Sequence, residues 1–230
     1  GKGAKAVGDG TPFSYDYIRE EGCKGRIGAH LIAVVAEGPR GRLYLSPTPD
    51  QIGAANVPRP EIDEDGQIAT NPRWFSPPAY GLTKFSELFT NRQLVAMTTL
   101  SDLVAEVREQ VLVDAVIAGM PEGDRLEVGG FEAQAYADAI ATYLAFAVSK
   151  LSNNCSSLTS WMNDRGAFRE TFSRQALPML WDFAEANPLG DFGGAFTFCL
   201  KKGSEMLKKI VGECEGLVDQ ASALARNYSG

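Results

Sequence analysis

The sequence predicts an α+β fold that is mainly helical, with a small N-terminal β-hairpin unit followed by an irregular bundle of four to five helices. Three observations predict it. An apolar run folds back across a Gly-Pro turn within residues 29–45, a Pro-rich stretch follows over 49–80, and apolar stripes at helical spacing run from Thr90 onward. They divide the chain into a β unit over 1–48, a linker over 49–80 and a helical domain over 81–230.

Taken in order, Ala29 to Ala36 (AHLIAVVA) reads as a buried strand. Glu37-Gly38-Pro39-Arg40-Gly41 reads as the turn, and Arg42 to Leu45 (RLYL) as the returning strand. The prolines after Pro47 and the acidic run Glu61 to Asp65 predict an extended or looping connection. Leu100, Val104, Val107 and Val111 then recur at spacings of four and three, which predicts a helix capped at Thr90 or Asn91. A Gly- and acid-rich break over 119–130 separates it from a second helix, with Tyr136, Ile140, Tyr143, Leu144, Ala147 and Leu151 on one face. A polar stretch from Ser152 to Ser160 leads through Trp161 to a third, shorter helix around Thr171 to Ala186, interrupted at Pro178 and ended by Asn187-Pro188. The last helix, roughly 194–218, carries Leu207, Ile210, Val211, Cys214 and Leu217 along its stripe.

At 230 residues, 44% hydrophobic and 22% charged, the composition is that of a globular protein with one core or two small ones. No apolar run approaches the roughly 18 residues of a membrane span. Gly1 to Gly10 lacks the apolar core of a signal peptide. A cytoplasmic protein without a membrane partner is therefore expected, and the missing initiating Met points to a start inside a longer polypeptide. Cys23, Cys155, Cys199 and Cys214 form no C-x-x-C pair, and His30 is the single histidine, so neither a disulfide framework nor bound zinc is expected.

The net charge of −7 disfavours a surface that grips nucleic acid everywhere. The acid is uneven, with 14 acidic and 6 basic groups in residues 61–150 against near balance on either side, so any nucleic-acid surface is expected outside that segment. Arg165, Arg169, Arg174 and Gln175, beside Trp161, Phe168 and Phe172, combine charge with stacking surface, as a site for a nucleic-acid strand requires; an amphipathic helix has the same composition. Arg92 and Gln93 join them as DNA-binding candidates. Trp181, Asp182, Glu185 and Asn187 form a candidate polar pocket, the alternative being a solvated helix face. Lys201, Lys202, Lys208 and Lys209 read as solvated.

No strand-to-helix glycine loop suited to a cofactor is present, and Gly1 to Gly10 has no strand before it. Ser76-Pro77-Pro78-Ala79-Tyr80 imitates the Ser-Pro-Pro-Tyr loop that takes up a flipped base in amino-methyltransferases, but Ala79 separates the aromatic from the prolines, which leaves a Pro-rich linker with aromatic anchors. A hydrolase reading lacks both a serine elbow and a second histidine.

Several strings in order are similar to the central part of the large zinc-ribbon-containing adenine-specific DNA methylases. They are Tyr80-Gly81-Leu82, Phe85 to Leu94 (FSELFTNRQL), Tyr136 to Phe146 (YADAIATYLAF) and Arg174 to Asn187 (RQALPMLWDFAEAN). The resemblance runs from about residue 15 to 200. In that family the methyl-donor loop lies upstream of this region and the catalytic Asp-Pro-Pro-Tyr loop downstream. The resemblance thus implies an internal fragment lying between missing N- and C-terminal catalytic segments. S-adenosylmethionine would serve the full-length protein, with no cofactor and no catalytic residue in this chain. Where the family carries zinc-ribbon cysteine pairs, only Cys23 stands here.

The function expected is to recognise or position DNA for adenine methylation without methyl transfer by the fragment itself. The alternative is a helical scaffold or interaction domain packed on the catalytic domain without DNA contact. Apolar area left exposed where other domains dock would favour self-association.

Overall fold

The computed structural model describes residues 4–6, 8–71, 73–162 and 164–210. Within them the fold is α+β and mainly helical, with five α-helices and three separate two-stranded antiparallel sheets.

The N-terminal part opens with β1 (Ala4–Lys5) paired to β2 (Pro12–Phe13). Helix α1 (Tyr15–Cys23) then corrects the reading of this region as β structure alone. Ser14 accepts a hydrogen bond from the Tyr17 amide at 3.1 Å and Asp16 sits in the first turn, two features that start a helix without needing a long apolar stripe. The hairpin of β3 (Val34–Gly38) and β4 (Gly41–Leu45) pairs Val34 with Leu45 and Gly38 with Gly41. The first strand starts at Val34 rather than Ala29, its residues are at most half-buried, and β4 is exposed along its length, so the run is not a buried strand.

The Pro-rich stretch holds its own helix, α2 (Pro49–Ala55), where an extended connection was expected. Thr48 and Gln51 form a reciprocal capping box and Pro49 occupies the first turn, where its missing N–H costs nothing. Further on, Pro77–Tyr80 forms a 3₁₀ turn against which α1 docks. A Cβ on Gly22 would stand 2.3 Å from the Tyr80 carbonyl oxygen, and one on Gly81, at φ +88°, 2.4 Å from that of Gly22. Two glycines therefore set how closely these backbones approach.

Helix α3 (Asn91–Ile117) begins at Thr90, whose capping box with Gln93 is complete. It turns at the expected glycine-rich break and returns as α4 (Ala133–Ser152). Ala147 and Leu151 of the predicted α4 face are buried, whereas Tyr136 and Tyr143 are exposed, as is Val107 of the α3 stripe. The position next to Val107 explains the α3 difference. Arg108 turns inward and meets Asp138 of α4 at 2.6 Å, and Arg125 from the connecting loop meets the same carboxylate at 3.1 Å. The Leu126 amide also donates to it, at 3.1 Å.

No helix forms over Thr171 to Ala186. Pro178 has no N–H and holds Leu177 in extended backbone, so Leu177 instead pairs in parallel with Phe75 and donates to the Trp74 carbonyl at 2.7 Å. Leu177 joins Ile68, Leu88 and Leu158 in one buried cluster, which brings the Pro-rich stretch and the region after α4 into the same core. Before it, β5 (Ser160–Met162) and β6 (Ala167–Arg169) form a short ribbon. Helix α5 (Phe196–Leu207) packs on α4 through Cys199 against Ala147 and Leu151. The rest of the predicted stripe, Val211, Cys214 and Leu217, lies outside the described residues. Among the described residues no helix is long and apolar enough to cross a membrane.

The Arg125 hydrogen bonds, with those of Arg108 and the Leu126 amide, hold the Asp138 carboxyl down from 3.8 to about 2 against the opposing effect of burial. A depressed folded pKa contributes stability above the unfolded pKa and loses it as pH falls through the folded value. Urea unfolding should therefore show a stability loss between about pH 4 and pH 2 that Asp138→Asn removes. At neutral pH, Asp138→Ala should cost about 3 kcal/mol, since it leaves the largely buried Arg108 without its main partner.

Candidate nucleic-acid interface

The site is built where α4 ends. After Leu151 the chain makes tight turns whose buried hydroxyls are satisfied by one another. Ser156 and Thr171 hydroxyls lie 2.7 Å apart, those of Thr159 and Thr171 3.1 Å, and the Leu158 amide donates to Ser156 Oγ at 3.1 Å. Thr159 enters β5 and Thr171 follows β6, so this triad closes the base of the ribbon. The Thr171 amide donates to the Asn153 carbonyl at 2.8 Å and the Phe172 amide to Asn153 Oδ1 at 3.0 Å. Ser157 donates through both its amide and its hydroxyl to the Leu88 carbonyl, which fixes the whole turn to the core.

The ribbon pairs Ser160 with Arg169, Trp161 with Phe168 and Met162 with Ala167. Cross-strand partners share a face and neighbours along a strand do not. Trp161 and Phe168 therefore meet on one face, with ring centroids 5.1 Å apart, and Phe192 lies 6.0 Å beyond Phe168. Arg42 from β4 stacks over Trp161 at 5.1 Å. At the tip Gly166 adopts φ +56°, and a Cβ there would meet the Arg42 guanidinium.

The other face is basic. Arg165, Arg169 and Arg174 line an open cleft of about 350 Å³ together with Met162, Asp164 and Ser173. Three of the sequence candidates are thus brought together. Arg165 has Asp164 at 3.6 Å, but both side chains are 74% exposed, so that contact neutralises little. Glu170 is held by Lys150, and Arg169 and Arg174 form no ion pair among the described residues. Guanidinium groups lining a concavity with few carboxylates concentrate positive potential and present bidentate donors, the arrangement that suits a phosphate oxygen pair. S-adenosylmethionine fits poorly, because its sulfonium is itself a cation and none of the described residues lining the cleft is aromatic.

The remaining candidates stand elsewhere. Trp161 is on the opposite face, packed against the chain itself, and Gln175 is exposed outside the cleft lining. Arg92 and Gln93 are engaged at the start of α3. The Arg92 guanidinium pairs with Glu185 and donates to the Ala55 carbonyl at 3.2 Å, while Gln93 is 2% exposed. Glu185 also accepts from Thr90 Oγ1 at 3.3 Å, placing a carboxylate at the positive end of the helix dipole. The polar-pocket residues do not converge. Trp181 meets Tyr80 edge-on at 5.1 Å, Asp182 is exposed, and Asn187 Oδ1 accepts from the Leu189 amide at 3.0 Å in a local turn. Ser76 of the Ser-Pro-Pro-Ala-Tyr string accepts from the Met179 amide at 2.6 Å and so serves the fold.

Sequence reasoning passed over Ser173 in the cleft and Arg42 behind it, while Asp164 stands beside Arg165 as one of the carboxylates, with Glu170 and Asp182, that could pair with the arginines. Ser173 adjoins a named arginine and was within reach of the same reading. Arg42 lies more than a hundred positions from its partner, and no local pattern marks it. Cys155 is buried, and its thiol is pushed up to about 12 by that burial, so it is inert. No cluster of metal-binding side chains is present among the described residues.

Thr171→Val removes the hydroxyl shared by Ser156 and Thr159 and should destabilise the protein by about 1–3 kcal/mol in urea unfolding. Arg174→Ala, at an exposed position, should leave the midpoint unchanged. Equal midpoints for the two variants would mean that the ribbon does not depend on the triad.

No family model matches the chain, and neither a curated protein nor a solved structure does.

Proposed function

We propose that this chain positions DNA for adenine methylation carried out by catalytic segments elsewhere in a longer cytoplasmic polypeptide, and that it transfers no methyl group itself. The observation that carries the DNA-contact part is the cleft formed by Arg165, Arg169 and Arg174. Its chemistry suits the sugar-phosphate backbone, which sets the register and orientation of a duplex without reading its sequence. The link to methylation rests on the ordered strings from Tyr80 to Asn187 that are similar to the adenine-specific methylases. S-adenosylmethionine and the reacting base belong, in this reading, to the missing catalytic segments.

A second reading is a helical scaffold packed on the catalytic domain without touching DNA. It is favoured by the engagement of Arg92 with Glu185 and the burial of Gln93, which commits two of the seven DNA-contact candidates to internal contacts.

Filter binding of duplex and single-stranded DNA at low salt separates the two. Arg165→Ala, Arg169→Ala and Arg174→Ala should each weaken binding about tenfold, at roughly 1.4 kcal/mol per charge-assisted contact. Unchanged affinity in all three would exclude the cleft and favour the scaffold. The methylation part is tested with labelled methyl donor and mixed DNA. Turnover is expected only with the longer polypeptide, and turnover by this chain alone would contradict the assignment.

A further inference from the structure

The tip of the β5–β6 ribbon has a guanidinium on each side. Arg42 of β4 stacks over the Trp161 ring at 5.1 Å on the aromatic face, and it reaches the tip so closely that a Cβ on Gly166 would collide with its Nη1. Arg165, the neighbour of Gly166 in the chain, lines the cleft on the opposite face. Gly166, at φ +56°, leaves the crest between the two cations without a side chain.

Stacking does not use up Arg42. A guanidinium lying on an aromatic ring is held by its flat face and keeps its N–H donors around the edge. The residue is exposed, and its side chain makes no hydrogen bond or ion pair among the described residues, although Glu37 stands opposite it on β3. Arg92 and Arg108 differ in this respect, since carboxylates engage both of them. Arg42 is thus fixed in position while its donors stay open, which lowers the ordering cost of a contact with an anion.

We propose that a DNA strand held in the arginine cleft continues over the ribbon tip onto Arg42, which positions the backbone by donating to a phosphate. The β3–β4 hairpin is then part of the interface, and its exposed strand β4 has a role that packing alone does not give it. Trp161 serves the contact without touching a base, because its ring holds the guanidinium in place before DNA arrives. The inference rests on the DNA-positioning reading of the cleft and extends it to a residue more than a hundred positions away in the sequence.

Filter binding with the full chain at low salt tests it. Arg42→Met keeps an unbranched stem over Trp161 but removes the charge, and it should weaken DNA binding about tenfold. Arg42→Lys, which keeps a cation, should recover most of that loss. Arg40→Met makes the same change in net charge two positions away in the hairpin turn and should alter affinity less than about twofold. In the unaltered chain, bound DNA should protect Arg42 from a dicarbonyl reagent together with Arg165, Arg169 and Arg174, a readout that a purely structural role for Arg42 would not produce. Arg42 reacting as fast with DNA bound as without it would overturn the inference, and so would equal losses in Arg42→Met and Arg40→Met. Weakened binding in the cleft variants beside unchanged binding in Arg42→Met would overturn this extension and leave the cleft reading standing. Binding that is absent, or that the cleft variants leave unchanged, would overturn both.

Discussion

The arrangement depends on three buried hydroxyls. Ser156, Thr159 and Thr171 come from either side of a two-stranded ribbon; the Thr171 hydroxyl bonds to both of the others, and Ser156 and Thr159 also accept from the Leu158 and Ser156 amides. An unpaired hydroxyl in that position would carry its full desolvation cost. The triad therefore favours one closed geometry at the ribbon base. From that base the pleat of β5 and β6 sends Trp161 and Phe168 to one face and Arg169 to the other. The aromatic face is consumed by packing against Arg42 and Phe192, and the basic face remains open. A site meant to stack bases would need an aromatic residue on the same face as the arginines. None of the described residues lining the cleft is aromatic, so in the proposed reading it suits backbone contact rather than base contact.

Charge is sorted along the molecule in the same sense. The α3–α4 hairpin is strongly acidic, and its two arginines are engaged by Asp138 and, for Arg108, also by Glu109, whereas the ribbon that follows α4 carries arginines with little neutralisation. A polyanion is repelled from the first region and attracted to the second. The overall charge of −7 is thus compatible with a local anion site, since potentials beyond about 10 Å are screened at ordinary salt.

How much of this was legible in the sequence follows from the range of the interactions involved. The α3 start at Thr90 is a capping box closed within three residues, and the periodicity of α3 and α4 is local, so both were readable. Helix α1 and helix α2 also have local caps, but short helices without an apolar stripe are outweighed by neighbouring prolines and β-formers. The false helix over Thr171 to Ala186 shows the opposite error. Its composition is helical, yet Leu177 gains more by pairing with Phe75, a partner a hundred positions away. Within the site, the arginines were found by their clustering. The separation of Trp161 from them was not, because it depends on a strand pleat over residues 160–169, where no strand was expected.

The most direct test of the central claim is the salt dependence of DNA binding. If three arginines neutralise phosphates, log K should fall with log salt at a slope of about −2.7, and the triple Arg165→Ala, Arg169→Ala, Arg174→Ala variant should lose nearly all of that slope. A slope of similar size in the triple variant would place the contact elsewhere on the molecule and contradict the account.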